Sequence, residues 1–212
     1  LNDNNFTLNS HFSKNDLSMI YFTSGSTGVP KGVKISHENL STSVTRIFPL
    51  LNINREIWGD YHDLSFVISI PILFVCIYSK GTIYCTSNKL EEFMPCESII
   101  KNKISCLITV PSTLERISKS ENFRKIFSSL KTIVSCGEPL PVDLMNLYVQ
   151  KKDTNFFNFY GSTEVSPWIL FHECTKEDVK KFKNYGFAPI GKVIDGNEIK
   201  VTNQNLLLVR GS

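Results

Sequence analysis

Apolar positions in this chain fall into short β-prone runs that alternate with amphipathic stretches. Residues 19–23 form the first such run, and it stops at Ser24-Gly25-Ser26-Thr27-Gly28-Val29-Pro30-Lys31-Gly32, a dense set of turn formers. Beyond residues 33–35, Ser36 is placed to cap a helix in which Leu40, Val44, Ile47 and Leu51 recur at spacings of four, three and four. Residues 106–109, 132–135 and 156–159 read as strands, and residues 112–118 and 141–150 between them suit helices. This alternation predicts an α/β fold, a parallel sheet with covering helices. Right-handed crossovers then bring the residues after each strand to one edge, where open α/β sheets bind ligands. Those residues are Pro111, Cys136-Gly137-Glu138 and residues 160–164. From residue 169 onward the runs 169–174, 197–201 and 206–210 lack helical patterns between them, which predicts part of a small antiparallel β subdomain. The expected organisation is a linker or cut end over 1–16, a nucleotide- and substrate-binding part over 17–168, and the start of the β subdomain over 169–212.

Composition narrows the function classes. With 212 residues, 42% hydrophobic and 20% charged, the chain can bury a sizeable core. A net charge of +3 without a Lys/Arg block gives no reason to expect nucleic acid or an anionic membrane as partner. The most apolar run, residues 64–78, is about 15 residues long, contains Pro71 and falls short of the roughly 20 needed to span a bilayer. It predicts a buried helix. The six cysteines form no Cys-x-x-Cys pair, so reduced thiols in a cytoplasmic protein are expected. The Asn-rich start has none of the features of a signal peptide.

The hydroxyls and backbone N–H groups of Thr23, Ser24, Gly25, Ser26, Thr27 and Gly28, with the cation of Lys31, suit a polyphosphate. The spacing is not that of a Walker loop, because Lys31 follows Pro30 and precedes Gly32. In a second string, Asn158-Phe159-Tyr160-Gly161-Ser162-Thr163-Glu164, an aromatic ring, a hydroxyl and a carboxylate lie close together. Taken singly, Tyr160 also suits core packing, Thr163 a cap and Glu164 a solvated charge.

The string from Tyr21 to Val33, with His37-Glu38-Asn39-Leu40 after it, closely resembles the phosphate-binding signature of the adenylate-forming superfamily, and residues 158–164 resemble its second signature. Ser135-Cys136-Gly137-Glu138-Pro139 resembles the family's Gly-Glu turn, although composition alone favours a plain turn before a helix. The resemblance implies an enzyme that uses ATP and Mg2+ to activate a carboxylate as its acyl-adenylate. It implies catalytic roles for Lys31, Thr163 and Glu164, with Glu164 also the metal ligand. Nucleotide contacts are implied for residues 23–28, Lys31, Gly137, Glu138, Asn158, Tyr160, Gly161 and Thr163.

Tyr61-His62-Asp63-Leu64-Ser65-Phe66 resembles the segment in amino-acid-activating members, such as the adenylation domains of nonribosomal peptide synthetases, whose aspartate holds the substrate ammonium. Asp63 is then the amine anchor, though the same residue is placed to cap a helix starting near Leu64. Val67, Thr109, Val134, Cys136, Phe159, Pro167 and Trp168 are expected around a small amino-acid side chain. The implied acceptor is a carrier-protein phosphopantetheine or CoA. The family fold is more than twice this length, so the resemblance implies a fragment, without the family's ribose-binding aspartate and C-terminal lysine and weakly active alone. Alternative expectations are an acyl-CoA synthetase for a fatty or aryl acid, or a non-catalytic ATP-binding or interaction remnant.

Overall fold

The computed structural model describes residues 12–24, 28–86, 88–165 and 167–211. The expected first run becomes strand β1 (Leu17–Thr23), and β2 (Lys31–Ser36) returns antiparallel to it, pairing Lys31 with Thr23. Ser36 caps α1 (His37–Leu51) through a reciprocal box in which Asn39 N donates to Ser36 Oγ at 3.1 Å and Ser36 N to Asn39 Oδ1 at 3.0 Å. Such a cap contributes about 1 kcal/mol. Leu40, Val44, Ile47 and Leu51 are buried, as their spacing predicts. Residues 13–16, within the expected linker, are tied to this helix, with Lys14 and Asp16 carbonyls accepting from Glu38 N and His37 N.

Strand β3 (Ile57–Asp60) leads to α2 (Ser69–Tyr78). The helix expected from residue 64 therefore begins later. Asp63 instead closes a turn, its carbonyl accepting from Phe66 N at 2.8 Å and its Oδ1 from Ser65 N at 2.9 Å, and this local bonding competes with helix there. Next come β4 (Thr82–Cys85), α3 (Lys89–Phe93), α4 (Cys96–Lys101), β5 (Cys106–Thr109), α5 (Pro111–Ser118), α6 (Phe123–Ser129), β6 (Thr132–Cys136), α7 (Val142–Tyr148) and β7 (Asn155–Tyr160). The chain then runs through β8 (Leu170–Glu173), α8 (Lys176–Phe182), β9 (Lys192–Val193), β10 (Glu198–Val201) and β11 (Leu207–Arg210).

The central sheet has seven strands in the order β4-β3-β5-β6-β7-β8-β9, parallel from β4 to β7 and antiparallel beyond. β5 and β6 are buried throughout, the pattern of parallel strands covered on both faces. Successive residues alternate between two cores. Cys106, Ile108, Val134, Cys136, Phe157 and Phe159 join the one packed under α1, α2 and the β1–β2 hairpin. Leu107, Ile133 and Phe156 join the other, under α4, α5 and α7. Tyr148 Oη donates to the Leu114 carbonyl at 2.7 Å and pins α7 to α5.

One expectation changes at the far end. β8 pairs antiparallel with β7, so the run 169–174 lies in the central sheet, and a helix intervenes before the next strand. Of the expected subdomain runs, the described residues place β10 and β11 in a small antiparallel sheet of their own, and the expected boundary at residue 168 falls inside the seven-stranded one. The runs misled because an antiparallel strand added to a central sheet and a strand of a separate hairpin share the same local pattern.

Candidate active site

The parallel strands end together, and two hollows lie along that edge. The larger, 370 Å³, is lined by Gly137, Glu138, Pro139 and Leu140 on one side, Phe187, Ala188 and Ile190 on the other, and Asn158, Phe159, Tyr160 and Gly161 along its base. The smaller, 210 Å³, is lined by Phe66, Val67, Ile68, Pro167 and Trp168 on an apolar side and Ser162, Thr163 and Glu164 on a polar one. Gly137 and Gly161 belong to both, so the two are continuous.

Backbone chemistry explains the glycines. Gly137 sits at φ 81°, the left-handed region where a side chain is strained. At Gly161 a Cβ would collide with the Pro167 carbonyl and come within 2.8 Å of Trp168 Cα. The chain doubles back there, with Ile169 N donating to the Tyr160 carbonyl at 2.9 Å.

Hydrogen bonds fix the larger hollow's two sides. Asn158, 4% exposed, donates from Nδ2 to the Pro189 carbonyl at 2.9 Å. Ala188 N donates to the Leu140 carbonyl at 2.8 Å and Val142 N to that of Gly186 at 3.0 Å. Glu138 bridges to α5, accepting from Ser112 N and Oγ at 3.0 Å each, a carboxylate at a helix N-terminus. Tyr160, 39% exposed, leaves a half-open aromatic surface.

Asp60 and His62 back the Phe66 side of the smaller hollow. The buried Asp60 carboxylate accepts from His62 N at 3.1 Å and meets His62 Nδ1 at 3.2 Å, and the His62 ring stacks on Phe66 at 5.7 Å. Beneath, Cys136 is fully enclosed, and burial pushes its thiol up to about 12. A nucleophilic thiolate is thereby disfavoured at that position.

The structure brings together Gly137, Glu138, Asn158, Phe159, Tyr160 and Gly161 around the larger hollow, and Val67, Thr163, Glu164, Pro167 and Trp168 around the smaller. It does not bring all the expected residues there. Thr109, Val134 and Cys136 are buried and line neither hollow. Thr23, Ser24, Gly28 and Lys31 sit at the end of the β1–β2 hairpin and also line neither, while Gly25, Ser26 and Thr27 lie outside the described residues. Asp63 stands one turn before Phe66 on the surface, with Lys89 Nζ donating to its Oδ2 at 2.8 Å. That hydrogen bond, then those from Ser65, hold its carboxyl well below the usual carboxylate range. Conversely, Phe66, Ile68, Phe187, Ala188 and Ile190 were not expected. The bracketing glycines of Gly186-Phe187-Ala188-Pro189-Ile190-Gly191 were the available signal.

The AMP-binding enzyme family model matches residues 3–211. The chain belongs to that family. Among curated AMP-binding relatives, gramicidin S synthase 1 of Brevibacillus brevis is 26% identical over 199 residues, covering 91% of this chain and 17% of that protein. The D-alanine–D-alanyl carrier protein ligase of Staphylococcus epidermidis is 26% identical over 208 residues, covering 95% and 42%. The chain thus spans well under half the length of these relatives. Solved structures share the fold. The Vibrio cholerae adenylation domain AlmE in complex with glycyl-adenosine-5'-phosphate superposes with a TM-score of 0.76 at 24% identity, covering 92% of this chain and 37% of that one. O-succinylbenzoate coenzyme A synthetase of Bacillus subtilis, in complex with ATP and magnesium ion, gives 0.72 at 20%, covering 94% and 42%. No helix among the described residues is long and apolar enough to cross a membrane.

Proposed function

We propose that this site takes part in ATP-dependent adenylation of a small carboxylate, an amino acid, giving acyl-AMP and pyrophosphate. The observation that carries the reading is the junction of the two hollows at Gly137 and Gly161. A base resting against Tyr160, between the Gly137–Leu140 and Phe187–Ile190 segments, directs its phosphates toward Thr163, and a short acyl group fills the space bounded by Val67, Phe66 and Trp168. The D-alanine in one relative's name and the glycyl-adenosine-5'-phosphate bound in a similar structure support a small acid.

In the reaction a carboxylate oxygen bonds to the α-phosphorus of ATP, the bond from that phosphorus to the bridging oxygen breaks, and pyrophosphate leaves with the electron pair. The protein's part is positioning and charge neutralisation rather than covalent attack. Thr163 donates a hydroxyl hydrogen bond to the α-phosphate. Lys31 and the hydroxyls of Thr23, Ser24, Ser26 and Thr27 attend the departing phosphates, which requires the hairpin end to meet ATP where it leaves the smaller hollow. Glu164, exposed beside the Ser162 and Thr163 oxygens, fits one protein carboxylate of a Mg2+ otherwise held by phosphate and water oxygens. When bound, that ion supplies neutralisation of phosphate charge. The adenylate is proposed to pass to a carrier-protein phosphopantetheine thiol, in keeping with the carrier-protein ligase among the relatives. Residues 17–168 carry most of this machinery, with the Phe187–Ile190 wall added from beyond.

Chromatographic identification of products tests the reaction class. AMP with pyrophosphate is expected in the presence of the acid and a thiol acceptor. Release of ADP and orthophosphate instead rules the reading out.

A further inference from the structure

The larger hollow has already committed much of its polar lining. Both oxygens of Glu138 accept from Ser112, through its N and Oγ at 3.0 Å each, and the Asn158 amide donates to the Pro189 carbonyl at 2.9 Å. What the lining leaves open is aromatic surface: Tyr160, 39% exposed, on the floor, and Phe187, 52% exposed, on the wall facing Gly137 to Leu140. Backbone bonds hold Phe187 in place. It forms an antiparallel bridge with Pro141, flanked by the bonds from Ala188 N to the Leu140 carbonyl at 2.8 Å and from Val142 N to the Gly186 carbonyl at 3.0 Å. Ala188 turns into the second core, 8% exposed, and Phe187 beside it turns out. At the far end of the segment Gly191 sits at φ 81°, where a Cβ would collide with the Phe171 carbonyl, so the wall is seated directly on β8.

We propose that Phe187 is the residue that selects the base: a second aromatic surface beside Tyr160 that makes the site prefer a purine nucleotide to a pyrimidine one. The inference rests on the adenylation reading and deepens it by naming what favours ATP among the nucleoside triphosphates. Stacking on Tyr160 alone does not select, because every base presents a π-face. A second surface selects by reach. A two-ring purine resting on Tyr160 extends to cover Phe187 as well, whereas a one-ring pyrimidine buries less of it. Because the backbone of this wall is already fixed by its bonds to Leu140, Val142 and Asn158, the contact costs little ordering of the segment.

The test uses the full natural polypeptide, with AMP and CMP as probes in isothermal titration and ATP with alanine in pyrophosphate exchange. Phe187→Ala is expected to raise the Kd for AMP about 10-fold, the scale of losing one aromatic contact to a base, and that for CMP by less than about 3-fold, so the preference for AMP narrows. Phe187→Tyr keeps the ring and is expected to keep the preference. In exchange, Phe187→Ala is expected to raise the KM for ATP and leave the KM for alanine within about twofold, a split that general loosening of the fold would not give. Equal weakening of AMP and CMP, or a Kd for AMP unchanged within about twofold, overturns the inference even where the parent catalyses exchange. A parent that exchanges no label with any acid, yet loses its AMP preference in Phe187→Ala, keeps the inference and loses the adenylation reading. A parent that binds neither nucleotide and exchanges no label overturns both.

Discussion

Replacing Asn158 with Asp probes the contact that holds the wall proposed to meet the nucleotide. The change is isosteric, so the packing of a residue only 4% exposed is kept, but the Nδ2 donor facing the Pro189 carbonyl at 2.9 Å becomes an acceptor. A buried carbonyl that loses its partner costs about 1–3 kcal/mol. The segment does not detach, because Ala188 N to Leu140 O and Val142 N to Gly186 O remain. The cost therefore falls on the spacing between Phe187–Ile190 and Gly137–Leu140, the dimension that the proposed adenine site requires. About 1–3 kcal/mol corresponds to a roughly 5- to 150-fold rise in Kd for AMP. Isothermal titration with AMP measures it, and urea unfolding of the same protein reports global stability. A Kd unchanged within about twofold alongside a lowered urea midpoint would refute the reasoning, because the bond would then serve the fold and not the wall.

Four further outcomes follow from the same geometry. Gly161→Ala forces Pro167 away from the β7 end and is expected to destabilise the chain by about 1–3 kcal/mol in urea unfolding; a smaller loss than about 0.5 kcal/mol would mean that the return at Gly161 is loose. Ser135 Oγ is buried without a hydrogen-bond partner among the described residues, so Ser135→Ala is expected to be neutral or stabilising by up to about 1 kcal/mol in the same assay, and marked destabilisation would show a partner for that hydroxyl. Burial pushes the Asp178 carboxyl up, but Thr175 and then His172 bonds outweigh it and leave it below its usual range. Its contribution is thus complete above the unfolded value near about 4 and is lost as pH falls through the lower folded one; the stability gap to Asp178→Asn should narrow as pH falls below about 4. Exposed Cys85 should be alkylated by iodoacetamide in the native protein well before Cys106 and Cys136, whose thiols burial pushes up to about 12, and equal rates would place those two outside the core.

Much of the site was legible because its signals are local. Ser36 and the spacing of Leu40, Val44, Ile47 and Leu51 specify a capped amphipathic helix without outside help. Strand, turn and helix signals around Ser135 to Pro141 place Gly137 and Glu138 at the sheet edge, where they are found. What was not legible depends on distant partners. Nothing near Phe187 says that Gly186 and Ala188 will bond to Val142 and Leu140. The start of α2 moved from residue 64 to Ser69 because Asp63 and Ser65 satisfy each other in a turn, an outcome that depends on side-chain bonding and not on apolar periodicity. Val134 and Cys136 have the alternation of strand residues, but which face meets a ligand is decided by the α1–α2 layer that covers them.

The central claim, that the joined hollows at Gly137 and Gly161 serve adenylation, is tested most directly by carboxylate-dependent exchange of labelled pyrophosphate into ATP by the full natural polypeptide. The account predicts exchange that requires Mg2+, is stimulated by a small amino acid, and is lost in Lys31→Ala and Glu164→Gln variants that remain folded. A folded protein that binds AMP yet exchanges no label with any of a panel of amino, fatty and aryl acids would contradict it.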